Sequence, residues 1–241
     1  AVSKRFADKL VLDGFSLTIP EGQTTVLMGL SGAGKSVALK HIVGLLEPDA
    51  GRVVVDDEVV NQLDYDDLMR LRSRIGYVFQ FAALFDSMNV RDNLALGLQR
   101  QGLDADTIAN RVTESLRLVE LSGVEERFPS ELSGGMRKRV GIARAIALRP
   151  RYILYDEPTT GLDPVTTASM DDLMVRAREE LGATSVVVTH DLRSAFAVAD
   201  RIAFLHEGRI RQVGSAAEIR ATTDPLVRGF IEGRPSSGGG V

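Results

Sequence analysis

The sequence predicts an α/β fold with a mostly parallel core sheet, an antiparallel β subdomain and an inserted helical subdomain. Three observations carry this. In the C-terminal half, apolar runs at 152–155, 185–189 and 202–205 alternate with helical stretches, and that alternation builds parallel sheets. Short apolar segments over 10–19 and 52–60 are broken by Asp-Gly and Asp-Asp pairs, the pattern of antiparallel hairpins. Between 90 and 128, Ile108, Val112, Leu116 and Val119 fall three or four apart, the spacing of one helix face.

In chain order, 24–28 is a compact apolar strand entering Gly29, and Val37 to Val43 contains no breaker before Gly44, so a helix is expected after the glycine-rich turn. The run Tyr77-Val78-Phe79 ends at Gln80. A helical lobe is expected over about 86–148, within one domain of 1–241. Asp163-Pro164 is a helix start, since Asp caps and Pro suits the first helical position, and Gly182 supplies a stop. An extension over 215–241 ends in Ser236-Ser237-Gly238-Gly239-Gly240, expected to be a flexible tail.

At 241 residues, 44% of them hydrophobic and 26% charged, the chain has enough apolar material for one large domain with a buried core. No apolar stretch approaches the roughly 20 residues that cross a bilayer, and the N-terminus lacks a signal peptide's apolar region. A cytosolic chain is expected, unless a partner holds it. Zero cysteines exclude disulfides and thiolate metal sites, and three scattered histidines make a poor metal cluster. A net charge of -4 does not favour nucleic acid. The basic run Arg137-Lys138-Arg139 reads as a solvated helix face.

Gly29-Leu30-Ser31-Gly32-Ala33-Gly34-Lys35-Ser36 fits the full phosphate-loop pattern between a strand and a helix. Its glycines let consecutive backbone N–H groups face phosphates, and the helix aims its positive end there. Lys35 is expected to neutralise the β- and γ-phosphates of ATP, and the Ser36 hydroxyl to ligate Mg²⁺. Asp156 and Glu157 end the apolar run 152–155, where ligand sites form in such sheets. Asp156 is expected to help hold Mg²⁺, and Glu157 to polarise the attacking water and accept its proton. Gln80 could reach either Mg²⁺ or that water from its own strand end. His190 ends 186–189 and could hydrogen-bond the γ-phosphate, or His190 or Asp191 could cap the next helix.

With Leu132-Ser133-Gly134-Gly135-Met136 lying between the phosphate loop and the acidic pair, the chain resembles P-loop NTPases of the ATP-binding-cassette (ABC) type over practically its whole length. The family's glutamine, signature, acidic strand, switch histidine and a loop like Gly161-Leu162-Asp163-Pro164 occur here in the family's order, as Gln80, Leu132 to Met136, Ile153 to Glu157, His190 and that loop. The resemblance implies a catalytic set of Glu157, His190, Gln80 and Lys35. It also implies nucleotide contacts from the phosphate loop, Asp163, and Ser133, Gly134 and Gly135, the last three closing on the ATP bound by a second copy in a head-to-tail homodimer. Phe6 stands at the family's separation ahead of Gly29 for the aromatic that stacks on adenine, although a Phe at a strand edge also suits a core. Leu30 replaces a proline common in the family's loop, where backbone makes the contacts.

A finer resemblance, to the Mla/Mce-type lipid-transport ATPases, is carried by Phe79 to Val90, Pro129 to Arg139 and Pro225 to Ile231. It implies a peripheral subunit on the cytoplasmic side of the inner membrane, an integral membrane permease, an Mce-type lipid-binding subunit, a small accessory subunit, and phospholipid cargo moving between inner and outer membranes. The rivals are an importer ATPase for another solute, a soluble ABC protein of DNA repair or translation, and a regulatory subunit that binds ATP without hydrolysing it. A single cassette and a modest helical lobe argue against the second, and intact Lys35, Gln80, Glu157 and His190 against the third.

Overall fold

The computed structural model describes residues 1–234, so the tail expected at 236–240 lies outside the described residues. β1 (Val2–Phe6) and β2 (Lys9–Phe15) form an antiparallel hairpin that turns at Ala7-Asp8, with Ala7 at φ 48°. Asp13-Gly14 is therefore not the turn its composition suggests. It stays inside β2, where the register with β1 shifts and the Gly14 N–H donates to Ser3 Oγ at 3.0 Å. An Asp-Gly pair satisfies a left-handed bulge as readily as a hairpin turn, and the dipeptide alone does not distinguish them.

All five residues of β3 (Thr24–Met28) are buried, the mark of a strand covered on both faces. α1 (Lys35–Ile42) follows, and Gly44 at φ 62° closes its C-terminal turn. β4 (Ala50–Gly51) pairs with β1, and β5 (Val54–Val55) pairs with β6 (Glu58–Val59) through Asp56-Asp57, both left-handed as such a turn demands. Next come α2 (Tyr65–Ser73), β7 (Ile75–Val78), α3 (Val90–Arg100), α4 (Ala105–Leu118) and α5 (Gly134–Ala147). β8 (Tyr152–Asp156) and α6 (Pro164–Leu181) lead to β9 (Thr184–Thr189) and α7 (Leu192–Val198). The chain then runs through β10 (Arg201–His206), β11 (Arg209–Gly214), α8 (Ala216–Arg220) and α9 (Pro225–Ile231).

Among the described residues two compact units result, 1–64 with 186–234, and 65–185. In the first, the strand order is β11-β10-β3-β9, with β10 parallel to β3 and antiparallel to β11. Leu12, Leu27, Met28, Leu39, Phe204 and Leu205 fill its core, and Phe230 of α9 meets the Phe204 ring edge-on at 5.1 Å. In the second, β7 runs parallel to β8 from Ile75 opposite Tyr152 to Val78 opposite Tyr155. Leu94, Leu98, Val112, Leu116 and Ile142, from α3, α4 and α5, are buried there; the lobe expected over 86–148 falls inside this unit. Among the described residues, no helix is long and apolar enough to cross a membrane.

Candidate functional site

In the first unit β3 ends at Gly29, where a Cβ would lie 2.3 Å from the Leu205 carbonyl oxygen, so only glycine lets the loop leave the sheet this close to β10. At Gly34, φ is 105° and a Cβ would stand 2.9 Å from Leu12 Cδ2, a conformation that glycine adopts without penalty. α1 starts directly on Gly34 with no side-chain cap and no acidic residue in its first turn. By contrast α3 to α9 each begin on a capping side chain, among them Asn89, Asp104 and Ser133. A helix start without its own acceptor, at the end of a buried strand, is an anion-binding arrangement. The buried Lys35 ammonium donates to the Gly29 and Leu30 carbonyls at 2.9 and 3.1 Å, at the same loop. Ser31 and Gly32 are exposed, while Ala33 and Ser36 are partly buried.

Two other residues of this unit resolve alternatives that the sequence left open. Phe6 is 42% exposed at the end of β1, with the Lys4 ammonium 5.6 Å from its ring centre, which excludes a core role. Asp191, not His190, caps α7, accepting from the Arg193 N–H at 2.8 Å and the Ser194 N–H at 3.3 Å. His190 is left exposed just beyond the end of β9.

The second unit brings Asp156 and Glu157 together at the carboxyl end of β8, with 8% and 9% of their surfaces exposed. The Tyr77 hydroxyl, from β7 alongside, donates to Asp156 Oδ2 at 3.1 Å. Burial, and then the Asp156 charge, push the Tyr77 phenol far above its ordinary value, so it remains a donor. Glu157 is left-handed at φ 51°, and Thr160 Oγ1 donates to its Oε2 at 3.1 Å. Gln80 lies two residues beyond β7, partly buried.

Ser133 caps α5, its Oγ accepting from the Met136 N–H at 3.2 Å, with Gly134 and Gly135 as the first helical residues. The hydroxyl proton is not used in that bond, so Ser133 can donate while it caps. Asp163 caps α6. Its Oδ1 accepts from the Val165 and Thr166 N–H groups, both at 3.0 Å, and its Oδ2 from the Thr166 hydroxyl. Those bonds, the Thr166 hydroxyl first, hold its carboxyl below the usual range.

The basic run on α5 is only partly the solvated face that its composition suggests, since Arg137 is exposed while Lys138 and Arg139 are half-buried. Arg137 donates to the Leu132 carbonyl at 2.6 Å, Lys138 to the Pro158 and Thr160 carbonyls at 2.9 and 2.7 Å, and Arg139 to the Val119 carbonyl, Glu120 and Ser169. Main-chain acceptors on distant segments draw Lys138 and Arg139 in, and a sequence does not reveal which segments lie alongside. Tyr77 and Lys138 are the supporting residues that sequence reasoning missed. Only Tyr77 carried a signal, as a polar-tipped aromatic in a strand otherwise built of apolar residues.

Residues 12–160 match the family described as ABC transporter. The chain is 40% identical over 234 residues to the probable ribonucleotide transport ATP-binding protein mkl of Mycobacterium tuberculosis, covering 97% of this chain and 65% of that protein's length. To the intermembrane phospholipid transport system ATP-binding protein MlaF of Escherichia coli it is 40% identical over 233 residues, covering 96% of this chain and 87% of that one. The fold superposes on the dimeric post-hydrolysis structure of the ATP-binding cassette MJ0796 bound to ADP and Pi, with a TM-score of 0.81 and 34% identity, covering 89% of this chain and 95% of that chain.

Proposed function

The chain belongs to the ABC transporter family of ATP-binding domains, and from this we propose that it is an ATPase subunit that pairs with a second copy of itself on ATP and drives a separate membrane permease. The observation that carries the reading is the phosphate loop, where Gly29 and Gly34 permit the backbone path and α1 begins with no side-chain cap. Lys35 and the backbone N–H groups of 32–36 bind the β- and γ-phosphates, and the exposed ring of Phe6 stacks on adenine. Glu157 orients the water for in-line attack and takes its proton, while His190 steadies the γ-phosphate. Ser36 in the first unit, and Asp156 and Gln80 in the second, each offer an oxygen, the donor that a hard divalent cation prefers, so each suits Mg²⁺. When bound, Mg²⁺ supplies charge neutralisation at the β- and γ-phosphates. Ser133, Gly134 and Gly135 serve the nucleotide of the second copy, and Asp163 contacts nucleotide from the start of α6.

We infer that the cargo of the permease is phospholipid moving between inner and outer membranes, with an Mce-type subunit and a small accessory subunit in the complex at the cytoplasmic face of the inner membrane. MlaF, matched over most of its length, supports this reading. Equal identity to mkl, named for ribonucleotide transport, supports the rival of a solute importer. Phe81 and Phe85, 84% and 49% exposed just after Gln80, give the permease an apolar docking surface.

Two experiments separate engine from cargo. Glu157→Gln is expected to cut hydrolysis by about 10²- to 10⁴-fold with ATP binding intact, whereas Lys35→Ala weakens binding itself; unchanged turnover or affinity removes the residue from its role. Mass spectrometry of proteins and lipids that co-purify from gently solubilised membranes is expected to find a permease, an Mce-type protein and phospholipid. A solute permease without lipid overturns the cargo alone, and exclusively soluble partners overturn the transport reading.

A further inference from the structure

We propose that Lys138 is a positioning residue for Glu157, through which the helix that begins at Ser133 sets the geometry of the carboxylate that activates water. The proposal rests on the reading of Glu157 given above. Lys138 lies in the second turn of α5, partly buried, and its ammonium spans two main-chain carbonyls, Pro158 at 2.9 Å and Thr160 at 2.7 Å. These two residues frame the segment by which the chain leaves β8 after Glu157.

That segment needs an external hold. Glu157 sits at φ 51°, and a non-glycine residue held in such a conformation costs on the order of 1–3 kcal/mol, persisting only where its surroundings over-determine it. Within the segment, the Thr160 N–H reaches the Glu157 carbonyl at a long 3.3 Å, and the Thr160 hydroxyl orients Glu157 Oε2 at 3.1 Å. Lys138 grips the carbonyl of the same Thr160 and that of the intervening Pro158. It therefore fixes the residue whose hydroxyl aims the carboxylate.

The charge of Lys138 fits this duty. Burial lowers the pKa of its ammonium, and the nearby Glu157 carboxylate acts in the opposite sense. A surface lysine would keep its ammonium in water, whereas this one has exchanged part of its hydration for two carbonyls. Ser133, which caps α5 and closes on the second copy's nucleotide in the function proposed, is five residues away on the same rigid element. Closure at Ser133 and the aim of Glu157 within one subunit thus become linked through α5.

The test uses the full chain with ATP and Mg²⁺, reading kcat and KM from phosphate release, ATP affinity by calorimetry, and melting temperature. Lys138→Met is expected to lower kcat by about tenfold or more, as misplacing a catalytic group does, with KM and ATP affinity unchanged. Lys138→Gln, whose amide can donate to both carbonyls without charge, is expected to recover most of the rate. In a Glu157→Gln background, Lys138→Met should add no further loss. Parental kcat in Lys138→Met, or an equal loss in both backgrounds, overturns the proposal. If Lys138→Met does not fold, Thr160→Val decides: it removes the aiming hydroxyl and should show the same loss confined to kcat, so a parental rate there also overturns the idea. Normal turnover in Glu157→Gln alone would instead remove the reading of Glu157 on which this rests.

Discussion

His41, on α1, is 2% exposed, with Nδ1 2.7 Å from the Val37 carbonyl and Nε2 without a partner. The short contact assigns a proton to Nδ1, and burial disfavours a second one on Nε2, so the neutral ring is the favoured form in the core. Burial is the main cause of its lowered pKa, helped by the Lys4 charge and opposed by the Val37 carbonyl and Asp49. With the folded pKa below the unfolded one, both states are neutral above the unfolded value, and no stability is lost there. As pH falls through about 6.5, the unfolded chain takes up a proton that the folded chain refuses, so stability drops. Urea midpoints between pH 7.5 and 5.5 are expected to fall, and to fall less in His41→Gln. Equal slopes for the two proteins would show that His41 is not the group responsible.

At the scale of elements, α5 does more than cross the second unit. Arg144 donates to the Ala83 and Ala82 carbonyls at 2.7 and 2.8 Å, and those alanines are left-handed at φ 48° and 61°. Gly141 lets the helix approach so closely that a Cβ there would lie 3.2 Å from Ala82 Cβ. Arg144→Ala is expected to destabilise the fold by about 2 kcal/mol, since it strips two carbonyls of their donor and the strained turn of its support. Arg144→Lys should restore only part of this, lacking the planar fork. Chemical denaturation checks both, and an unaltered midpoint in Arg144→Ala would mean that the turn holds itself.

This clamp also marks where sequence reading stops. β3, α1, the strands that end at Asp156 and Thr189, and the cap at Asp163 follow from composition and short-range spacing, and their boundaries appear in the sequence nearly as they do in space. The bulge at Asp13-Gly14 and the partners of Lys138 and Arg144 depend on which segments lie side by side. Arg144 and Ala82 are 62 residues apart along the chain, a separation that no local pattern encodes.

For the molecule as a whole, the proposed engine is incomplete as a single copy, because Ser133, Gly134 and Gly135 serve a nucleotide that this copy does not hold. Ser133→Ala is therefore expected to leave ATP binding by the monomer unchanged while lowering ATP-driven dimerisation several-fold, read by sedimentation in the Glu157→Gln background so that ATP persists. The substitution also removes the cap of α5, worth about 1 kcal/mol, and a frayed helix could mimic a lost phosphate contact. Ser133→Asp separates the two. An aspartate accepts the Met136 N–H and caps as well as serine, but sets a negative charge against the second copy's γ-phosphate and donates nothing to it. If the hydroxyl contacts phosphate, Asp fails at least as badly as Ala while its melting temperature stays parental. Dimerisation at the parental level in Ser133→Asp would reduce Ser133 to a helix cap and take the signature out of the interface.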